Sequence, residues 1–158
     1  MIYTVTLNPA IDYVIQVADF NEGQLNVTDT EHKFPGGKGI NVSRVLKQLE
    51  VPSTNVGFIG GFTGDFIREK LQEEGLMTDF IEVQGDTRIN IKLRSQVETE
   101  INGRGPIIEA EDLAKLKETL YSLTSDDLVV FSGSIPKGLS TGIYLELVKE
   151  MNQRHIPF

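Results

Sequence analysis

Between Phe34 and Leu46 the chain places three glycines within four positions, Gly36, Gly37 and Gly39, and then runs straight into an amphipathic stretch. Ile40, Val42, Val45, Leu46 and Leu49 recur near helical spacing. This pattern predicts a tight turn free of bulky side chains, followed by a helix over Gly39–Glu50. A helix start carries unpaired backbone N–H groups and the positive end of the helix dipole. Glycines at that point let an anion approach the backbone. Lys38 adds a full positive charge, and Asn41 adds an amide one turn in. The stretch suits a phosphorylated or polyhydroxylated ligand, the plain alternative being a glycine turn with an exposed lysine. Two common phosphate motifs are excluded. Gly39 follows Lys38 where a P-loop requires Ser or Thr, and Val42 stands where the dinucleotide fingerprint has its last glycine.

The rest of the chain alternates strand-like and helix-like runs, which predicts an α/β fold. Ile2–Leu7 reads as a buried strand broken by Asn8, Pro9 and Ala10, with Asp12 just beyond its carboxyl end, the edge where open α/β sheets bind ligands. Tyr13–Val17 and the extended, mostly polar Asn26–Phe34 look like a two-stranded flap outside the main sheet. Thr54–Gly60 reads as a parallel strand. A glycine-rich crossing over Gly60–Asp65 then leads to a helix at Phe66–Glu74, with Asp65 as its cap and Gly75 as its stop. Phe80–Val83 is a short strand.

Thr87–Arg94 alternates strictly. Ile89, Ile91 and Leu93 lie on one face, and Arg88, Asn90, Lys92 and Arg94 on the other. A basic strand face is informative in a chain whose net charge is −8. It reads either as a solvated face or as a flap that closes over an anion. Glu111–Thr124 reads as a helix and Asp126–Phe131 as a buried strand that ends in the small-residue turn Ser132, Gly133, Ser134. Leu139–His155 reads as the last helix, and Ile156–Phe158 as the beginning of another strand, so the chain reads as a truncated, N-terminal part of a longer protein.

The 158 residues give room for one ordinary domain, and 39% hydrophobic with 24% charged residues is a globular composition. The acidic balance argues against nucleic acid as a partner. No apolar run approaches the roughly 20 residues of a membrane span. The absence of cysteine removes disulfides and thiolate metal sites. His32 and His155 are far apart in sequence, so no metal ligands are expected.

Four stations, Leu7–Asp12, Gly36–Asn41, Thr87–Asn90 and Ser132–Gly138, together resemble the ribokinase-like sugar kinases of the phosphofructokinase-B family. The resemblance covers the whole chain. Within that family the four stations are most similar to the branch acting on fructose 1-phosphate, with the branch acting on tagatose 6-phosphate next, and the Thr99–Pro106 stretch looks more like the former. The resemblance implies a central, mostly parallel sheet flanked by helices and a small β lid from about 13–34 and 88–102 that also forms a homodimer contact. It implies a cytoplasmic enzyme that uses ATP and Mg2+ to phosphorylate fructose 1-phosphate to the bisphosphate, or alternatively a tagatose-6-phosphate kinase or a non-catalytic sugar-phosphate binder. Asp12 and Asn41 match positions that hold sugar hydroxyls. Gly36, Gly37 and Lys38 match the glycine turn beside the sugar phosphate. Arg88 and Ser134 match positions near that phosphate, with Asn90 and Lys92 on the same lid face. The catalytic base and most of the ATP pocket belong to the family's C-terminal half, so this chain alone is expected to be inactive.

Overall fold

A computed structural model describes residues Met1–Phe158. The main sheet is fully parallel. Its strands are β1 (Ile2–Thr6), β4 (Ser53–Ile59), β5 (Met77–Glu82) and β8 (Leu128–Phe131), in the order β5-β4-β1-β8. A second sheet contains β2 (Ala10–Gln16), β3 (Thr30–Gly36), β6 (Arg88–Arg94) and β7 (Thr99–Asn102), in the order β3-β2-β6-β7. There β2 pairs in parallel with β6, and the outer pairings are antiparallel. The helices are α1 (Lys38–Gln48), α2 (Gly61–Glu73), α3 (Ala110–Tyr121) and α4 (Ile143–Gln153). This is the α/β architecture that the alternating pattern predicts. No helix is long and apolar enough to cross a membrane.

A cluster of 14 buried apolar residues joins one face of the main sheet to α3 and α4, including Val5, Phe58, Leu116, Leu120, Leu147 and Met151. The opposite face carries a cluster of only 5, among them Ile40 on α1 and Ile67 and Leu71 on α2. Polar side chains fill the gap under α1. Thr4 Oγ1 lies 2.7 Å from Ser43 Oγ and donates to Asn55 Oδ1 at 3.2 Å, while Ser53 Oγ donates to Ser43 Oγ at 3.1 Å. Glycine makes this contact close, since a Cβ on Gly39 would fall 2.4 Å from Thr6 Oγ1 and 3.2 Å from the Val5 carbonyl oxygen.

Several boundaries differ from the sequence reading. The second strand begins at Ala10 and not at Tyr13, because the turn at Asn8 and Pro9 carries the chain directly from one sheet into the other. Helix α2 begins at Gly61, five residues before Phe66, with Gly60 as its N-cap. Asp65 is therefore no cap; it sits inside the helix and pairs with Arg68 at 3.2 Å. The glycines there serve close packing: a Cβ on Gly61 would lie 1.7 Å from Asp86 Oδ1, and one on Gly64 would lie 3.1 Å from Ile59 Cβ. Strand β5 starts at Met77 instead of Phe80, and α4 starts at Ile143 because Ser140 ties the preceding residues into a turn. Residues 156–158 form no strand, although Val129 N donates to the Pro157 carbonyl at 2.9 Å.

Candidate functional site

The carboxyl ends of β1 and β8, the start of α1 and the inner face of the second sheet enclose a polar cavity of about 420 Å3. Asp12, Gly37, Lys38, Asn41, Arg88, Asn90, Lys92 and Ser134 all line it, so eight of the nine positions singled out from sequence meet in one place. Gly36 does not line it. It ends β3 behind Asp12, where an added Cβ would lie 2.7 Å from the Asp12 carboxylate, so only glycine leaves that carboxylate its position.

Each wall follows from local structure. Period-two alternation brings Arg88, Asn90 and Lys92 of β6 to one face, and the register sets Ala10 beside Arg88 and Asp12 beside Asn90. Asp12 accepts a hydrogen bond from Asn90 Nδ2 at 3.2 Å and lies 3.5 Å from Lys92 Nζ. Gly37 caps α1 with φ +145°, a conformation that favours glycine, and a Cβ there would strike Thr6 Cγ2 at 2.7 Å. No side chain caps α1 and no acidic residue occupies its first turn, so the positive end of its dipole remains unmatched. Lys38 on that turn is exposed and makes no ion pair. Asn41 Oδ1 accepts from Arg44 Nη1 at 3.0 Å, leaving its amide N–H groups for other partners.

Arg88 is the distinctive group. It is half-buried, and every partner it has is neutral. Its Nη2 donates to Asn8 O at 2.9 Å and to Ser134 Oγ at 3.2 Å, and two longer bonds of 3.4 Å reach Pro9 O and Gly103 O. No carboxylate forms an ion pair with it. Burial holds its pKa below the ordinary value, and the Asp12 charge pulls the other way. A partly desolvated guanidinium without a counter-ion favours any anion that can enter. Ser134 stands at the same point, accepting from Asn8 Nδ2 at 3.4 Å as well.

The sequence reading did not single out Thr6, Asn8, Glu100, Asn102 and Gly133, which also line the cavity. The register Lys92↔Glu100 and Asn90↔Asn102 puts the β7 pair on the polar face of β6, a placement that alternation within Thr99–Asn102 could have signalled. Asn90 Oδ1 and Thr6 Oγ1 are buried without a hydrogen-bond partner. Such atoms are costly unless something satisfies them.

The model for the pfkB family carbohydrate kinases matches residues 5–157. The chain is 52% identical to the 1-phosphofructokinase of Bacillus subtilis, over 98% of this chain and 51% of that protein. It is 36% identical to the tagatose-6-phosphate kinase of Staphylococcus epidermidis, over 99% of this chain and 51% of that protein. Among solved structures, phosphofructokinase-2 of Escherichia coli in complex with fructose-6-phosphate superimposes with a TM-score of 0.90 at 25% identity, covering 98% of this chain and 52% of that one. The chain spans about half the length of the curated relatives it matches.

Proposed function

The chain belongs to the pfkB family of carbohydrate kinases, and from that premise we propose that its cavity binds a phosphorylated ketohexose, fructose 1-phosphate, as the sugar half-site of a 1-phosphofructokinase. The observation that carries this reading is Arg88, a half-buried cation held only by neutral acceptors and facing the unpaired Lys38. A sugar phosphate complements this arrangement. Its phosphate offers several acceptor oxygens to Arg88, Ser134 and the N–H groups at the start of α1. Its hydroxyls meet the Asp12 carboxylate and the Asn41 and Asn90 amides. The polar faces of β6 and β7 act as a lid that excludes water, the competing acceptor in phosphoryl transfer.

In the whole reaction the free primary hydroxyl of the sugar would attack the γ-phosphorus of ATP. Its proton would pass to a base, and ADP would leave as the product bisphosphate forms. This chain's residues bind and orient the acceptor. Asp12 is already engaged by Asn90 and Lys92, which suits it to receive sugar hydroxyls. The donor ATP and its Mg2+ follow from the family. A cytoplasmic location goes with such a substrate. The apolar outer face of the second sheet, with Ile89 and Ile101 exposed, suits a homodimer contact.

Tagatose 6-phosphate is the second reading, favoured by the 36% relative. The 52% relative puts fructose 1-phosphate first. Titration calorimetry with fructose 1-phosphate, tagatose 6-phosphate and fructose tests both. Binding of the first is expected, with fructose at least about tenfold weaker for want of the charge-assisted bonds. Arg88→Gln should remove most of that difference. Equal binding of fructose and its phosphate would overturn the reading.

A further inference from the structure

Tyr144 lies in the first turn of α4, outside the cavity, but its hydroxyl is 3.2 Å from the Ser132 carbonyl oxygen and 3.2 Å from that of Gly133. A phenol has one proton, so it can fully satisfy only one of two acceptor-only oxygens at a time. A shared bond of this kind ties both peptide groups to one point. The ring is fixed in turn by an edge-on contact with Phe131, at 6.1 Å between centroids and 62° between planes. Burial pushes the Tyr144 hydroxyl up to about 12, which keeps it protonated and donating.

The two carbonyls belong to the loop that forms the cavity wall. Gly133 has φ +104° and stands beside Lys38, whose Cβ would lie 4.0 Å from a Cβ placed there. Ser134 follows at once and receives Arg88 and Asn8. The wall segment between the two unpaired cations is therefore anchored from behind by one side chain. We propose that Tyr144 is a positioning residue for the sugar-phosphate site, acting through the Ser132 and Gly133 carbonyls to set Ser134 against Arg88. This rests on the sugar-phosphate reading of the cavity.

The test uses Tyr144→Phe, which keeps the ring and its contact with Phe131, together with Ser134→Ala and the double variant. Fructose 1-phosphate affinity is expected to fall about three- to tenfold in each single variant, the scale of one hydrogen bond. The double variant should be no weaker than the poorer single one, because both changes act on the same group. Losses that multiply, or a Tyr144→Phe affinity within about twofold of the parent, would overturn the proposal. A ligand-free measurement separates this from the reading it rests on. In Tyr144→Phe, the amide resonances of Gly133 and Ser134 and the Arg88 Nε–H resonance should shift, while those of α3 stay fixed. If the parent chain binds no sugar phosphate but these shifts appear, the reading of the ligand fails and the positioning link stands. If the resonances of Ser134 and Arg88 do not move, the link fails whatever the chain binds.

Discussion

The two faces of the parallel sheet are built on different principles. Toward α3 and α4 the contact is made by 14 buried apolar side chains, a jigsaw of bulk. Toward α1 it is made by glycine and hydroxyls: Gly39 against Thr6 and Val5, and the Thr4, Ser43, Ser53 and Asn55 network. Apolar burial is non-directional and tolerates small shifts. Hydrogen bonds and backbone contacts at glycine fix an approach to a few tenths of an ångström. The face that bears the site is the one held by the directional contacts, and the face that supplies bulk stands behind it.

Mutations that separate stability from binding test that contrast. The largest effect on stability is expected at Leu147, fully buried in the apolar cluster. Leu147→Ala should cost about 2–5 kcal/mol in chemical denaturation while leaving sugar-phosphate affinity nearly unchanged at temperatures where the chain stays folded. Gly39→Ala should cost less, about 1–3 kcal/mol after the better helix propensity of alanine is counted. It should nevertheless abolish measurable binding, because the start of α1 must move off β1. If Leu147→Ala spoiled binding and Gly39→Ala spared it, the division of labour between the faces would be wrong.

Tyr144 reaches from the apolar side to the site, and its effect should depend on pH. Its folded-state pKa of about 12 lies above the ordinary 10.0. The proton is therefore held more tightly in the folded chain, and this contribution is complete below pH 10 and lost as the pH climbs toward 12. Thermal melts should show the parent losing its advantage over Tyr144→Phe across that window. A gap that stays constant would show that the hydroxyl is not protected as described. The smallest effect is expected at Thr6, whose buried hydroxyl lacks a partner. Thr6→Val removes that hydroxyl at constant shape and should be neutral or stabilising by up to about 1 kcal/mol. A marked loss of stability would mean that the hydroxyl is already satisfied.

The contrast between the faces also explains what the sequence made legible. The parallel sheet and α1 were readable, because strands with apolar runs end in turns rich in small residues, whereas the meeting of Asp12, Lys38, Asn41, Arg88 and Ser134 was implied only by the resemblance to the sugar kinases. The start of α2 was not readable. Gly61 and Gly64 look like turn residues, and only tertiary packing against Asp86, Ile59 and Thr87 shows why glycine occupies a helix there. Nor could the sequence show that Arg88 lacks a carboxylate partner. Of its four acceptors, three are backbone carbonyls and one is a serine hydroxyl 46 positions away. Such an environment exists only once β1, β6 and the loop after β8 have met. The anchoring of that loop by Tyr144 was hidden for the same reason, since the sequence marks Tyr144 only as one more aromatic on a helix.

Arg88 is the proposed seat of the sugar's phosphate. A crystal structure of this chain with fructose 1-phosphate tests it most directly through the position of one phosphorus atom. The phosphate oxygens are expected within hydrogen-bond distance of the Arg88 guanidinium and the Ser134 hydroxyl. A phosphate bound elsewhere, with the bonds from Arg88 to Asn8 and Ser134 unchanged, would contradict it.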